Sequence, residues 1–164
     1  MGKTAFVTVG STGFDDLVAS VCSLPVLNAL TSLGFERVIV QYGSSKIAFR
    51  EVHHSSIKLE GFDYKPSVRE EMGSADLVIS HAGSGSILEA LRLSKPLIVV
   101  INSRLMDNHQ AELAHEMERA GYLVATECGT LAETILSHRH TSLTPFPPPE
   151  PSRFATLLDQ VMDA

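Results

Sequence analysis

Apolar residues run along this chain in short blocks that alternate with stretches of helical spacing. The blocks are rich in β-branched and aromatic side chains and lack the in–out alternation of a half-exposed strand. They lie at residues 5–9, 37–41, 57–62, 76–80, 96–101 and 121–125. Continuous apolar blocks of this length are typical of strands buried on both faces of a parallel sheet. The pattern therefore predicts such a sheet.

Between the blocks, apolar residues recur at the spacing of a helix with one buried face. These stretches lie at residues 17–33, 67–72, 87–93, 109–120 and 131–137. We expect Pro25 to break or kink the first of them and Gly34 to end it. Residues 43–56 are polar and are predicted to form a loop. Strands alternating with helices indicate an α/β fold, a Rossmann-like doubly wound sheet that binds ligands beyond the carboxyl ends of its strands.

Length, charge and cysteine content narrow the class of protein. With 164 residues, 44% of them hydrophobic, the chain suits one domain with a full core. The net charge of −6 does not suit a nucleic-acid-binding protein, so no nucleic acid is expected as a partner. The apolar run at 97–101 is far shorter than the roughly 20 residues of a transmembrane helix. Two cysteines and the absence of a signal-peptide pattern favour a cytoplasmic location.

The character of the chain changes near its end. A proline-rich stretch at 145–151 is typical of a stiff spacer, and the apolar residues that follow share one helical stripe. We therefore divide the chain into a Rossmann-like domain, residues 1–142, and a spacer with a C-terminal helix, residues 143–164. That helix can pack on its own domain or dock on another chain.

Three clusters of small or polar residues follow predicted strands, where the ligand site of such a fold is expected. The first is Gly10-Ser11-Thr12-Gly13, whose small side chains let backbone N–H groups approach an anion at the next helix N-terminus. The same residues also suit a tight turn without a ligand. They do not form a dinucleotide fingerprint or a P-loop.

The second cluster, residues 81–89, is a glycine-rich bend that carries Ser84 and Ser86 and opens a helix, as a phosphate cradle does. Glu89 can accept hydrogen bonds from two ribose hydroxyls. Alternatively, Ser86 and Glu89 form a capping box with Ser86 as N-cap. A serine-hydrolase elbow is excluded, because Ala82 stands where that motif needs glycine.

The third cluster is 107–110, which follows the strand at 96–101. Its side chains can hydrogen-bond sugar hydroxyls, or it can be a plain polar helix start with Asp107 or Asn108 as N-cap.

Together the clusters resemble the nucleotide-sugar motif of GT-B glycosyltransferases, His-x-Gly-x-Asn-Ser-x-x-Glu. The matching residues are His81, Gly83, Ser86 and Glu89, and Gly85 stands in place of the Asn. His109-Gln110 with Ala114 is similar to the sugar-contacting Asp-Gln…Asn-Ala of that family. There His109 replaces the acid and Leu113 replaces the Asn.

Longer stretches resemble, more closely, the catalytic subunits of the UDP-N-acetylglucosamine transferases that add the second sugar of dolichol-linked oligosaccharides. These stretches are 6–10, 14–17, 75–83, 99–102 and 108–110. In that family the chain is the donor-binding half of a GT-B enzyme and is active only in a complex. A membrane-anchored subunit carries the acceptor side and holds the heterodimer at the cytosolic face of the endoplasmic reticulum, with the final helix implicated in docking.

The resemblance implies an inverting transfer of GlcNAc from UDP-GlcNAc to dolichyl-diphosphate-linked GlcNAc. It places His81 at the phosphate or leaving group, Glu89 at the ribose and Tyr64 at the uracil. It assigns contacts with the GlcNAc hydroxyls to His109 and Gln110. It assigns contacts with the diphosphate to the backbone N–H groups of Gly10, Ser11, Thr12, Gly83, Ser84, Gly85 and Ser86.

No cofactor or metal is expected. The sequence has no Asp-x-Asp, the adjacent Asp15 and Asp16 fall early in a helix, and the histidines lack zinc-ligand spacing. The general base is not assigned, and the partner chain is one place for it. Two other functions stay open, a non-catalytic nucleotide-sugar-binding module and a GT-B half acting on a different donor or acceptor.

Overall fold

The structure is a computed structural model that describes residues 2–11, 13–102 and 108–147, with the backbone alone at 108–110. Within these residues, six parallel strands form one sheet in the order β3-β2-β1-β4-β5-β6. The strands are β1 (Lys3–Thr8), β2 (Phe35–Gln41), β3 (Lys58–Phe62), β4 (Leu77–His81), β5 (Leu97–Val100) and β6 (Val124–Thr126). The predicted doubly wound parallel sheet is confirmed.

Helices cover both faces of the sheet. They are α1 (Asp15–Val21), α2 (Leu24–Ser32), α3 (Arg69–Ser74), α4 (Ser84–Arg92), α5 (Asn108–Arg119) and α6 (Leu131–Leu136). Helices α1, α2 and α6 share one buried core with Ala5 and Val7, whereas α3, α4 and α5 share the other with Phe6 and Val78. Because successive strand residues face opposite sides, both sets must be apolar, which explains the unbroken apolar blocks.

The predicted helix at 17–33 is two helices. Helix α1 ends at Val21, and Pro25 lies in the first turn of α2 rather than at a kink. Proline is tolerated there because the first N–H groups of a helix have no partner within the helix. Gly34 ends α2 with φ +92°, as predicted. The predicted loop at 43–56 contains one short 3₁₀ helix, Lys46–Ala48.

The last described residues lie at the amino end of the sheet. Thr144 N–H donates to Gly121 C=O over 2.8 Å, and the rings of Tyr122 and Phe146 meet edge to face with centroids 5.1 Å apart. The predicted C-terminal helix lies outside the described residues, and the division at residue 142 stays a prediction. In the part of the chain that the structure describes, no helix has both the length and the apolarity needed to cross a membrane.

Candidate functional site

The carboxyl ends of β1 and β4 form the centre of the candidate site. These strands are neighbours, yet the chain leaves β1 toward β2 and β3 and returns to the other side at β4. Such a point, where the strand order reverses, opens a crevice in doubly wound folds. Gly10 and Ser11 follow β1, and Ala82 and Gly83 follow β4, so the topology brings the first two predicted clusters together.

The ring of His81 lies between these two turns. A Cβ atom at Gly10 would lie 3.0 Å from His81 Nε2, and one at Gly83 would lie 2.8 Å from the same atom. Both glycines therefore leave room for the ring. Gly10 also adopts φ +68°, a conformation that L side chains rarely accept.

His81 is neutral near physiological pH. Burial disfavours its charged form and lowers its pKa below the ordinary value. Its Nε2 lies 3.4 Å from the Ser86 hydroxyl, at the outer limit of a hydrogen bond. The ring is thus held as an uncharged polar group at the base of the crevice, beside the start of α4.

Helix α4 begins at this point without a side-chain cap. Gly83 is its N-cap residue, no described side chain bonds to its first N–H groups, and its first helical hydrogen bond is Ile87 N–H to Gly83 C=O at 3.0 Å. The N–H groups of Ser84, Gly85 and Ser86 therefore have no carbonyl partner within the helix. Free N–H groups at the positive end of a helix are suited to an anion.

The capping box considered above is wrong. Since α4 starts at Ser84, Ser86 lies inside the first turn rather than at the N-cap, and Glu89 lies in the second turn. Glu89 is half-buried, and its carboxylate is not used to cap the helix.

The loops after β1 and β2 are interlocked. Phe14 N–H donates to the buried Ser45 hydroxyl over 2.8 Å. A Cβ atom at Gly43 would lie 2.6 Å from Gly10 C=O, so glycine is needed for this close approach. No role was predicted for the polar stretch at 43–56. In the structure it supports the turn after β1 through Gly43 and Ser45.

Tyr64 lies in the loop after β3, two strands away from β1. Gly43 N–H donates to Asp63 C=O over 2.9 Å, which joins this loop to the one after β2. The Tyr64 side chain is 54% exposed, and the ammonium of Lys65 lies 4.5 Å from the centroid of the Phe62 ring. The structure thus places Tyr64 on the same edge of the sheet as His81, with its ring open to solvent.

Several predicted site residues are only partly described. His109 and Gln110 lie in the first turn of α5, which follows β5, but their side chains fall outside the described residues. Thr12 and Asp107 lie outside them altogether. The assignments of these residues stay predictions.

A second cavity of about 220 Å³ opens at the carboxyl ends of β5 and β6. It is lined by Phe14, Asp16, Ile101, Asn102, Glu127, Cys128 and Gly129. Burial, reinforced by the Asp16 carboxylate, raises the pKa of Cys128 to about 11, so its thiol stays protonated and is not a nucleophile. Among the described residues, no three His, Cys, Asp or Glu side chains converge as a metal site would require; the expected absence of a metal stays a prediction.

Comparison with known proteins identifies the family. Residues 4–161 match the glycosyltransferase family 28 C-terminal domain. The human UDP-N-acetylglucosamine transferase subunit ALG13 is 46% identical over 129 residues, which are 79% of this chain but 11% of the human protein. The subunit of the same name from Yarrowia lipolytica is 36% identical over 160 residues, covering 94% of this chain and 82% of that protein.

Solved structures agree in fold. An NMR solution structure of ALG13 has a TM-score of 0.73 and 33% identity, and each chain covers 98% of the other. MurG from Acinetobacter baumannii has a TM-score of 0.61 at 14% identity, with all of this chain matching 50% of that one. The second likeness shows the fold alone. The chain belongs to the glycosyltransferase family 28 C-terminal domain family, together with the fungal subunits that it matches over most of their length.

Proposed function

We propose that this chain is the donor-binding half of an N-acetylglucosaminyltransferase that uses UDP-GlcNAc. The observation that carries the proposal is the uncapped start of α4, which meets the Gly10 turn across the His81 ring. A diphosphate needs such N–H donors in a crevice that excludes bulky side chains. The name of the relatives, UDP-N-acetylglucosamine transferase subunit, supports the choice of donor.

In this proposal the donor lies along the carboxyl edge of the sheet. Its diphosphate contacts the N–H groups of Ser11 and of residues 83–86, because Gly10 N–H already donates to Thr8 Oγ1 at 3.2 Å. Glu89 binds the ribose hydroxyls from the second turn of α4. The uracil stacks near Tyr64, and the GlcNAc extends toward His109 and Gln110 at the start of α5.

The proposed reaction is a direct displacement with inversion at the anomeric carbon. The acceptor hydroxyl oxygen forms a bond to C1 of GlcNAc as the bond from C1 to the β-phosphate oxygen breaks. UDP departs with the electron pair, and the hydroxyl proton passes to a general base that is not assigned, the partner chain being one place for it. The helix N–H groups and His81 stabilise charge on the departing diphosphate, and the reaction needs no metal.

The acceptor side belongs, in this proposal, to a membrane-anchored partner subunit. It presents dolichyl-diphosphate-linked GlcNAc at the cytosolic face of the endoplasmic reticulum, for the second step of lipid-linked oligosaccharide synthesis. Support comes from the match of this chain to half of the MurG chain, which shows a shared fold, and from the word subunit in the relatives' names.

Co-expression tests the proposal directly. The chain and a candidate membrane subunit are purified together and incubated with UDP-GlcNAc and a synthetic GlcNAc-diphospho-lipid. We expect a disaccharide product that neither protein makes alone and that Glu89→Ala greatly reduces. Binding of UDP-GlcNAc without transfer would favour a non-catalytic module, and transfer from other UDP-sugars would change the assigned donor.

A further inference from the structure

Three buried polar side chains form a row near the carboxyl ends of three adjacent strands, β2, β1 and β4. Thr8 of β1 is paired in register with Gln41 of β2 and with Ser80 of β4. The three residues are 1%, 2% and 0% exposed. Strand alternation places them on the face of Phe6 and Val78, which is also the face that α4 covers.

The row is hydrogen-bonded to both turns of the site. Thr8 Oγ1 donates to Gln41 Oε1 over 2.5 Å, and this fixes the hydroxyl so that it accepts from Gly10 N–H at 3.2 Å. Ser80 Oγ donates to His81 C=O over 2.8 Å. One hydroxyl therefore holds the turn after β1, and another holds the peptide that enters the turn after β4.

Polar groups in the interior of a parallel sheet are costly unless they are hydrogen-bonded. The three residues that precede Thr8 in β1 and the three that precede Ser80 in β4 are all apolar and buried, namely Ala5, Phe6, Val7, Leu77, Val78 and Ile79. Valine at position 8 or alanine at position 80 would suit a purely structural sheet equally well. The polar row occurs instead directly below the two turns that flank the crevice.

We infer that Gln41, Thr8 and Ser80 are positioning residues that hold the two turns in the geometry that accepts a diphosphate. This inference rests on the proposed function. Thr8 fixes the left-handed conformation of Gly10 and thereby directs the following N–H, that of Ser11, toward the ligand. Gln41 acts through Thr8, and Ser80 acts on the peptide between His81 and Ala82.

The test uses the full chain and measures its Kd for UDP by calorimetry. Thr8→Val keeps the side-chain shape and removes the hydroxyl, and we expect Kd to rise about three- to tenfold, as for the loss of one hydrogen bond. Thr8→Ser restores the hydroxyl and should return Kd to within about twofold of the parent. Ser80→Ala should raise Kd by a similar factor through the second turn.

Thr134→Val is the matched control. Thr134 lies on α6, which covers the opposite face of the sheet. Its hydroxyl is hydrogen-bonded to Thr126 Oγ1 at 2.7 Å. This variant should lower the melting temperature without changing Kd. In Thr8→Val, but not in the control, the Gly10 amide should also exchange faster with deuterium.

Separate outcomes overturn the two claims. If the parent chain binds no uridine nucleotide, the proposed function fails. If the parent binds UDP and Thr8→Val binds it equally well, the positioning role alone is wrong and the row is structural. If Thr8→Val does not fold, Gln41→Met, which removes only the partner of the Thr8 hydroxyl, decides the matter: an unchanged Kd overturns the inference.

Discussion

Alanine at Gly83 should lower the stability of the chain, whereas alanine two residues later, at Gly85, should raise it. The backbone of Gly83, with φ −87° and ψ 130°, accepts any residue, so only the space around it matters. Its Cβ would lie 2.8 Å from His81 Nε2 and nearer still to Cε1. Gly10 lies against the same edge of the ring, so the imidazole has little room to move aside.

The two substitutions should change the free energy of unfolding in opposite directions. Overpacking of a filled site costs about 1–3 kcal/mol, so Gly83→Ala should lower the free energy of unfolding by that amount. For a domain of this size, this corresponds to a fall of about 2–12 °C in melting temperature. Gly85 lies inside α4 with no protein atom within 4 Å of an added Cβ. Gly85→Ala should therefore stabilise the chain by about 0.4–1 kcal/mol, because alanine favours the helix.

Urea denaturation of both variants, followed by UDP titration of Gly83→Ala, measures these effects. We expect a weaker affinity for UDP in Gly83→Ala, because the displaced ring would enter the crevice. A Gly83→Ala variant as stable as the parent, or two alanine variants that shift stability in the same direction, would refute this prediction.

Further predictions concern nucleotide binding by Glu89, Tyr64 and His81 and the effect of His81 on stability. Glu89→Ala should weaken UDP binding by about 1.5–3 kcal/mol, the contribution of a hydrogen bond to a charged group. It should also abolish the preference for UDP over 2′-deoxy-UDP. An unchanged preference would show that Glu89 does not bind the ribose. Tyr64→Ala should weaken UDP binding by about 1–3 kcal/mol through lost stacking, while stability changes by less than about 0.5 kcal/mol because the side chain is exposed. Burial lowers the pKa of His81, so the unfolded chain takes up its proton first and stability should fall as the pH drops below about 6.5. A bound diphosphate should raise that pKa, so the affinity for UDP-GlcNAc should increase as the pH is lowered in the parent but not in His81→Asn. A pH-independent affinity in the parent would argue against the phosphate contact.

The architecture follows from the sequence because its physical cause is local. Strands buried on both faces leave an unbroken apolar block; β5 lies within its predicted block, and β1 and β4 each share four residues with theirs. The location of the site follows from the same pattern. Glycine-rich segments after two such strands, those at Gly10 and Gly83, must meet if β1 and β4 are neighbours.

The internal supports of the site could not be predicted, because they depend on contacts between distant residues. The hydroxyl of Ser45 bonds to the peptide of Phe14, 31 residues away. Thr8 lies inside the apolar block at 5–9 and Gln41 at the end of the block at 37–41, and only the register of β1 and β2 brings these two polar residues together. The polar residue inside an apolar block, Thr8, was the one signal in the sequence.

The capping-box interpretation failed for a related reason. A serine followed by glutamate three residues later fits the pattern, but the start of α4 is set elsewhere. Gly83 takes the N-cap position, where its missing side chain makes room for His81. A local spacing rule does not include this tertiary contact.

The central claim is that the start of α4 and the Gly10 turn together hold a diphosphate. Titration of the ¹⁵N-labelled chain with UDP tests it most directly. The amide signals of Ser11 and of residues 83–86 should move with a common saturation curve, and that of Gly121, at the opposite end of the sheet, should not. Saturating UDP that leaves the amides of residues 83–86 in place would contradict the account.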